Sequence, residues 1–199
     1  MKKFIYLISP NNIYKEFFKE LNDVLKTKKV AFFQLRTKHY NENKIIMLAK
    51  KIKKITKKNN VKFIINDNLN LAIKCNLDGC HLGQKDGSIS ISRKKLKKRI
   101  LGVTCHNSKK LILNAVKHKA DYVAIGSFYK SKLKPSATRA KIGTLRWAKK
   151  NIKKPIIVIG GINPKNYKKL LIAGANYIAI SSYIWNNPTL KPNQSIKLF

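Results

Sequence analysis

The hydrophobic residues of this chain fall into short, β-branched runs that alternate with longer stretches in which apolar residues recur at helical spacing. Runs of the first kind predict strands, and stretches of the second kind predict amphipathic helices. In the helix predicted at residues 15–26, Phe17, Leu21 and Leu25 lie on one face. The predicted strands span residues 4–9, 30–36, 62–67, 79–83, 100–105, 122–128, 155–161 and 177–182. Further helices are predicted at residues 44–57, 109–118 and 145–151.

The number of strand–helix units favours one architecture over another. Eight units share 199 residues, which gives about 25 residues to each unit. The strand runs are apolar on both faces, as in a parallel sheet covered by helices. Doubly wound open sheets usually have fewer strands. We therefore predict an α/β fold, a single (β/α)₈ TIM barrel domain over residues 1–199, with an open flavodoxin-like sheet as the alternative.

The composition adds an extreme basic excess to this picture. The formal net charge is +36, from 44 Lys and Arg against 8 Asp and Glu. Such an excess raises nucleic acid or an anionic membrane as a partner. The hydrophobic fraction of 44% is that of a globular domain and excludes a disordered basic arm. Only five of the cations are Arg, the residue favoured for bidentate phosphate recognition, so a solvated lysine surface is the favoured interpretation. A basic nucleic-acid-binding module stays as a distant alternative.

The cysteines and the N-terminal residues bear on the compartment. Three cysteines cannot all pair, and the group of Cys75, Cys80 and His81 lacks a second ligand pair at zinc spacing. The apolar run at residues 4–8 is too short for a signal peptide, and no stretch approaches the roughly 20 residues of a membrane span. We predict a reduced cytoplasmic protein with no membrane partner. The sequence does not decide between a monomer and a homo-oligomer.

In a barrel of this type, the active site lies where strands end and the following loops begin. Strand 2 ends in the run Phe-Gln-Leu-Arg-Thr-Lys, and a period of two places Gln34, Arg36 and Lys38 on one side. An amide, an Arg fork and a Lys point charge that converge at the barrel mouth suit a polyphosphate. An ordinary charged surface is the alternative interpretation.

Acidic residues are scarce in this chain, which makes their positions informative. Strand 3 ends in Asn66 and Asp67, and Asp86 closely follows strand 4. Carboxylates on adjacent loops can hold one Mg²⁺ together with phosphate oxygens and water. The alternative is that Asn66 or Asp67 caps a following helix at residues 69–75. We favour a magnesium site formed by Asp67 and Asp86, with Asn66 as a neutral neighbour.

Strand 5 ends with a hydroxyl, a thiol and an imidazole in a row, at Thr104, Cys105 and His106. A cysteine nucleophile needs a base oriented by a third group, whereas adjacent residues on a strand point in opposite directions. We therefore expect Thr104 to act as a hydrogen-bond donor at the mouth and His106 to be a capping or loop residue.

The last three strands are followed by residues typical of a phosphate site. A long polar loop follows strand 6 and includes Ser131 and Lys134. Gly160 and Gly161 follow strand 7, and Ser181 and Ser182 end strand 8, where barrels of this type often bind a phosphate. With the cationic site on strands 2 to 4, this gives two anion sites, as a transferase that joins a diphosphate donor to a monophosphate acceptor requires. Dinucleotide and Walker fingerprints are absent from the sequence.

These residues, in this order, resemble the thiamine-phosphate synthase family. The likeness extends from Tyr6 to about Trp185. It is carried by the runs QLRTK at 34–38, ND at 66–67, DGCHLGQKD at 78–86, GVTCH at 102–106, DYVAIG at 121–126 and IGGI at 159–162.

The resemblance implies that a pyrimidine diphosphate and a thiazole monophosphate are joined with release of pyrophosphate. It places Gln34, Arg36, Lys38, Asn66 and Lys134 on the pyrimidine diphosphate, and Mg²⁺ on Asp67 and Asp86. Thr104 stands where the family usually has Ser, near the pyrimidine and its leaving group. Ser131, Gly161, Ser181 and Ser182 receive the thiazole phosphate. The implied mechanism is dissociative and assigns catalytic roles to Arg36, Lys38, Thr104 and Lys134.

The loop after strand 6 departs from the family pattern. It usually reads Pro-Thr-x-Thr-Lys, and Leu133 here replaces a hydroxyl that would help to hold the thiazole phosphate. The related thiazole tautomerase, with His106 as its base, is the closest alternative. Lys38, Asp67 and Asp86 favour the synthase, because a tautomerase has no diphosphate to ionise.

Overall fold

Eight parallel strands close into a barrel, each paired with the next along the chain and β8 paired with β1. The computed structural model describes residues 3–37, 39–130 and 139–199. The strands are β1 (Ile5–Ile8), β2 (Val30–Leu35), β3 (Lys62–Asn66), β4 (Gly79–Leu82), β5 (Ile100–His106), β6 (Tyr122–Gly126), β7 (Ile156–Ile159) and β8 (Tyr177–Ile180). The helices are α1 (Phe17–Lys26), α2 (Glu42–Lys58), α3 (Leu69–Lys74), α4 (Ile89–Leu96), α5 (Lys109–Lys117), α6 (Ile142–Asn151), α7 (Tyr167–Ile172), α8 (Ser182–Trp185) and α9 (Pro192–Ser195), followed by a 3₁₀ turn at Ile196–Leu198.

Alternation along each strand separates two layers of the core. One face of the strands packs on the surrounding helices, as Phe33, Phe63 and Leu101 do in the larger hydrophobic cluster. The other face fills the barrel interior, where a smaller cluster includes Tyr6 and Tyr122. Both faces are buried because the strands lie between the barrel interior and the helix layer. The predicted TIM barrel is confirmed, and the open sheet is wrong.

Seven of the eight predicted strands run one or two residues too far at their carboxyl ends, whereas the fifth, predicted to residue 105, extends to His106. The sixth, predicted to residue 128, ends at Gly126, and the eighth, predicted to residue 182, ends at Ile180, where Ser182 begins a helix. Apart from Phe128, the residues beyond the strand ends are polar or small, and all but Ser182 belong to the loops. The helices α4, α7, α8 and α9 were not predicted, because short helices carry little apolar periodicity.

Side chains at the carboxyl ends of the strands also start several helices. Asn41, Asn68, Ser88 and Ser108 each accept a hydrogen bond from the backbone N–H three residues later. Such caps satisfy N–H groups that have no partner within a helix. They fix the point at which each loop ends, and so define the rim of the barrel mouth.

The opposite, amino-terminal end of the barrel carries a pairing that occurs three times. In each case a residue donates its backbone N–H to the carbonyl of a residue near the start of an earlier strand, and its side chain accepts a hydrogen bond from the N–H of that same residue. The pairs are Asp78 with Phe63 of β3, Asp121 with Leu101 of β5, and Asn176 with Ile156 of β7. The residues Asp78, Asp121 and Asn176 immediately precede β4, β6 and β8. Two of the eight acidic residues therefore hold neighbouring strands in register, far from the mouth.

Within the described residues, no helix combines the length and the apolarity needed to cross a membrane.

Candidate active site

Ser9 joins the ends of three strands at the mouth of the barrel. Its hydroxyl accepts a hydrogen bond from the backbone N–H of Arg36 at 3.0 Å, and its own N–H donates to the Gln34 carbonyl at 2.9 Å. The Ser181 hydroxyl donates to the Ser9 carbonyl at 3.0 Å. Ser9 is only 2% exposed. It therefore fixes the backbone of β2, which carries the predicted cationic site, to the end of β8, which carries the predicted phosphate site.

Gln34 and Arg36 follow the period predicted for β2. Gln34 is buried, and its amide nitrogen donates to the Tyr6 hydroxyl at 3.1 Å inside the barrel. Arg36 is half-buried, and its charge acts on His81 of β4. The two side chains thus lie on the interior side at the mouth, as expected, while Lys38 falls outside the described residues.

A chain of hydrogen bonds crosses the barrel below the mouth. It runs from Gln34 to Tyr6, from Tyr6 to Tyr122 with 2.8 Å between hydroxyl oxygens, and from Tyr122 to His81 Nδ1 at 2.9 Å. His81 Nε2 lies 2.8 Å from the hydroxyl oxygen of Thr104. The rings of His81 and Tyr122 stack with 5.6 Å between their centroids. Four strands besides β2 therefore contribute to one continuous polar chain.

Burial keeps the members of this chain uncharged. It lowers the pKa of His81 to about 4, where the negative charge of Asp86 opposes the effect and the positive charge of Arg36 adds to it. Burial likewise raises the pKa of Tyr6 and Tyr122 well above the ordinary value for a phenol. At neutral pH, His81 is therefore an uncharged imidazole between hydroxyl groups.

The two predicted metal-binding carboxylates lie on adjacent loops at the same part of the mouth. The backbone N–H of Asp67 donates to the His81 carbonyl at 2.8 Å, and Asp86 accepts from the Gly83 N–H at 2.6 Å. Both carboxylates act electrostatically on the buried thiol of Cys80. Neither Asn66 nor Asp67 caps α3, because Asn68 does so. Among the described residues, no group of three or more His, Cys, Asp or Glu side chains could hold a metal ion without further ligands.

The end of β5 separates its three polar residues as expected. Thr104 is half-buried and faces His81, whereas Cys105 is buried on the other side of the strand, and burial raises the pKa of its thiol to about 12. A thiol with such a pKa stays protonated and is not a nucleophile at neutral pH. His106, expected in a loop, is instead the last residue of β5, where it is exposed in a left-handed conformation at a bulge in the pairing with β6. The Gln84 amide donates to the Thr104 carbonyl and so links the loop after β4 to this strand.

The loops after β6 and β7 lie against each other. The N–H groups of Phe128 and Tyr129 donate to the carbonyls of Ile159 and Gly160, both at 3.0 Å. Gly161 has a φ of +60°, and a Cβ there would lie 2.5 Å from the Lys130 carbonyl oxygen. Only glycine fits this approach without a shift of the backbone. The predicted phosphate residue Gly161 is thereby placed beside the loop predicted to carry Ser131.

Ser181 and Ser182 are half-buried at the start of α8, next to the seam between β8 and β1. The indole N–H of Trp185 in the same helix donates to the Ile8 carbonyl at 2.6 Å, which fixes α8 to β1. Ser131, Leu133 and Lys134 lie outside the described residues. The structure therefore brings together Gln34, Arg36, Asn66, Asp67, Asp86 and Thr104 at one part of the mouth, and Gly161, Ser181 and Ser182 follow the strands β7 and β8.

Four residues with an evident place in the site were missed by the sequence-based reasoning. Ser9, Tyr6 and Tyr122 were read only as parts of strands, and His81 only as a rejected zinc ligand. Their partners lie up to 172 positions away along the chain. Periodicity could have placed the two tyrosines and His81 on the interior faces of their strands, but not in contact with one another.

Comparisons with known proteins agree with these observations. A family model described as "Thiamine monophosphate synthase" matches residues 5–184. The thiamine-phosphate synthase of Pelagibacter ubique (strain HTCC1062) is 53% identical over 198 residues, which cover 98% of this chain and 95% of that protein. The thiamine-phosphate synthase of Erythrobacter litoralis (strain HTCC2594) is 36% identical over 92% of this chain and 88% of its own length.

Solved structures show the same fold. The thiamine phosphate pyrophosphorylase from Pyrococcus furiosus superposes with a TM-score of 0.88, with 23% identity, over 98% of this chain and 93% of that one. The thiamine phosphate pyrophosphorylase from Bacteroides thetaiotaomicron gives a TM-score of 0.71 with 20% identity, over 98% of this chain and 92% of that one. At sequence identities this low, the similarity shows only that the proteins share the barrel fold.

Proposed function

Because the chain belongs to the thiamine monophosphate synthase family, we propose that it is a transferase that forms thiamine phosphate. It joins 4-amino-2-methyl-5-hydroxymethylpyrimidine diphosphate to 4-methyl-5-(2-hydroxyethyl)thiazole phosphate and releases pyrophosphate. The observation that carries this assignment is the 53% identity, over 98% of the chain, to the thiamine-phosphate synthase of Pelagibacter ubique. The thiazole tautomerase alternative is not favoured, since the full-length relatives described above are named as synthases.

The pyrimidine diphosphate binds at the mouth near β2 and β3 in this proposal. Gln34 and Arg36 lie on the interior side of β2, and Asn66 ends β3. Arg36 offers a fork of donors that matches phosphate oxygens. Lys38 and Lys134 complete the cationic side in the family pattern and stay predictions.

We assign Asp67 and Asp86 to a Mg²⁺ ion. The donor set fits this ion, because Mg²⁺ is usually held by one or two carboxylates together with substrate phosphates and water. Asp67 and Asp86 follow the adjacent, paired strands β3 and β4, which supports a shared ion. When bound, the ion would neutralise charge on the departing pyrophosphate.

The thiazole phosphate is assigned to Ser131, Gly161, Ser181 and Ser182. Support comes from Gly161, whose positive φ and lack of a side chain let the loop after β6 pack directly against it. Ser182, at the start of α8, supplies a further hydroxyl donor, whereas the Ser181 hydroxyl donates to the Ser9 carbonyl beside it.

The residues at the mouth suit a dissociative reaction. The bond from the pyrimidine methylene to the diphosphate oxygen breaks first, and the electron-rich ring stabilises the resulting cation. Arg36, with Lys38 and Lys134, stabilises charge on the leaving group, and Thr104 lies near the same atoms. The thiazole nitrogen then forms the new bond to the methylene carbon. This step needs no general base, in keeping with an uncharged His81 that is occupied by two hydroxyl groups.

We place the reaction in the cytoplasm. In the described part of the chain all three cysteines are unpaired, as in a reducing compartment, and both substrates are phosphorylated compounds.

The direct test is a coupled assay. The purified protein, both substrates and Mg²⁺ should release pyrophosphate and form thiamine phosphate in equal amounts. EDTA should stop the reaction and added Mg²⁺ restore it. Omission of the thiazole phosphate, with no product formed, is the matched control. Conversion of the thiazole carboxylate between tautomers, without condensation, would contradict the proposal.

A further inference from the structure

The hydrogen-bond chain across the barrel has a direction that can be worked out by counting protons. Its members are Gln34, Tyr6, Tyr122, His81 and Thr104, which lie on β2, β1, β6, β4 and β5. Only Thr104 is half-buried at the mouth. The other four members are buried, with exposed fractions of 2% for both tyrosines, 3% for Gln34 and 9% for His81. Each buried hydrogen must therefore find its acceptor inside the chain.

The Gln34 end fixes the first bond. Its amide nitrogen faces the Tyr6 hydroxyl and can only donate, so the Tyr6 oxygen accepts. The Tyr6 proton is then directed to the Tyr122 oxygen at 2.8 Å, and the Tyr122 proton to His81 Nδ1 at 2.9 Å. In a neutral imidazole that accepts at Nδ1, the single N–H is on Nε2, and it donates to the Thr104 oxygen at 2.8 Å.

The other tautomer of His81 does not satisfy the chain. With the proton on Nδ1, Tyr122 accepts from His81 and donates to Tyr6. The Tyr6 oxygen then accepts from both Tyr122 and Gln34, and its own proton has no acceptor within the chain. Burying a donor without a partner is costly, so the tautomer with the proton on Nε2 is favoured.

We propose that Tyr6, Tyr122 and His81 are positioning residues that hold the Thr104 hydroxyl as an acceptor toward His81, so that its proton is directed to the leaving diphosphate oxygen of the pyrimidine substrate. This inference rests on the proposed function. It assigns Thr104 the role of a donor, and it explains why an uncharged histidine lies at the centre of a site that binds anions. Bonds that all run in one direction polarise one another, which strengthens the last donor.

The surrounding packing keeps the chain in this geometry. Tyr122 occupies the space over Gly102, where a Cβ would lie 1.9 Å from its ring. Tyr6 stacks on Phe32 at 5.4 Å and meets the edge of Tyr122 at 5.8 Å. Stacking on Tyr122 orients the His81 ring. The hydroxyl groups therefore cannot turn away without displacing aromatic rings.

The first test is independent of activity. Nitrogen-15 NMR of the histidine side chains in the wild-type protein at neutral pH should show His81 protonated on Nε2, with assignment by a His81→Asn variant. Tyr122→Phe removes the hydrogen bond to Nδ1 and should shift the Nδ1 resonance, while the proton stays on Nε2, where it still donates to Thr104. A wild-type His81 protonated on Nδ1 would mean that the chain runs from Thr104 toward Gln34, and would overturn the proposal.

The second test is a kinetic cycle. Thr104→Val should lower kcat by about 100-fold, the typical effect of losing a donor to developing negative charge, and Thr104→Ser should recover most of that loss. Tyr122→Phe should lower kcat by about tenfold with little change in KM. In the Thr104→Val background, Tyr122→Phe should have no further effect on kcat, because it acts through Thr104. Equal effects of Tyr122→Phe in both backgrounds would contradict the proposal.

Tyr177→Phe is the matched control. Tyr177 lies in the same interior, 5.1 Å from the Phe32 ring, and in the described part of the chain its hydroxyl makes no hydrogen bond. Its removal should leave kcat and the His81 tautomer unchanged. If the wild-type protein forms no thiamine phosphate, the proposed function fails, while the NMR result still decides the direction of the chain.

Discussion

At the scale of single residues, the site is built from side chains whose roles depend on partners far away in the sequence. The alternation of side chains between the two faces of a strand correctly placed Gln34 on the interior side of β2, because this alternation does not depend on the rest of the fold. It could not show that Gln34 bonds to Tyr6, or that His81 lies between Tyr122 and Thr104, because those contacts exist only once the barrel has closed. The assignment of Asp67 and Asp86 to a metal stays a prediction.

Asp86 offers a clean test of the metal assignment. Asp86→Asn keeps an oxygen that can accept from the Gly83 N–H but removes the charge. We expect kcat/KM to fall at least about tenfold, with partial recovery at higher Mg²⁺, since a neutral ligand weakens binding of the ion. The measurement is the coupled assay across a Mg²⁺ titration. Asp23→Asn, on the exposed surface of α1, is the control. Undiminished activity of Asp86→Asn in EDTA would refute the assignment.

His81 also gives the folded protein a characteristic pH dependence. Its folded-state pKa of about 4 lies below the unfolded value of 6.5, so the unfolded chain binds more protons between these values. Stability from this group is complete above about pH 6.5 and is lost as the pH falls toward 4. Urea unfolding at a series of pH values should show a steeper loss for the wild type than for His81→Asn. Parallel curves for the two proteins would show that His81 is not held neutral.

At the scale of elements, the strand count was predictable and the strand ends were not. All eight strands were found because each lies within a short, largely apolar run, and the fold follows from their number. Seven ends were placed too late because the sequence pattern does not show where residues such as Ser127 and Gly160 leave the ladder for the loops. The short helices α4 and α7 were missed for lack of periodicity. The reciprocal pairing of Asp78, Asp121 and Asn176 with earlier strands could not be recognised either, because it joins positions up to 20 residues apart.

The pairing at Asp121 can be tested on stability. One of its oxygens accepts from the Leu101 N–H at 2.8 Å and forms an ion pair with Arg93 at 2.7 Å. Asp121→Ala leaves the N–H without its acceptor and should cost about 1–3 kcal/mol in the free energy of unfolding. Asp121→Asn should cost less, because Asn176 serves the same purpose at β7. Chemical denaturation measures both. Equal losses for the two variants would show that the charge, rather than the hydrogen bond, is what matters.

At the scale of the whole molecule, the proposed enzyme site explains only a small part of the net charge of +36. The proposed diphosphate site accounts for a few cations at the mouth, such as Arg36. About half of the lysines lie on the outer helices, where runs such as Lys50-Lys51 and Lys53-Lys54 of α2 include exposed positions. The predicted membership in the synthase family is confirmed. The charge itself predicted no function, because a solvated surface and a binding surface share the same composition.

The surface charge has a measurable consequence for nucleic acids. We expect only nonspecific binding to RNA or DNA, with dissociation constants no tighter than about micromolar at physiological salt and a steep loss as salt rises. Fluorescence anisotropy with labelled RNA at several salt concentrations measures this. A lysine-rich protein of similar charge and unrelated fold is the control. Submicromolar binding that survives moderate salt would revive the nucleic-acid-binding interpretation.

The junction at Ser9 has a consequence for the choice of acceptor. Ser9 is hydrogen-bonded both to the backbone N–H of Arg36 and to the hydroxyl of Ser181, so one residue connects the two proposed anion sites. The gap between the donor's electrophilic carbon and the acceptor's phosphate is then set by the closure of β8 onto β1 and β2. An acceptor with a longer or shorter arm between its nitrogen and its phosphate would meet the carbon out of line, however well each end was bound. The closure of the barrel between β8 and β1 therefore sets the length of acceptor that the proposed sites can accept.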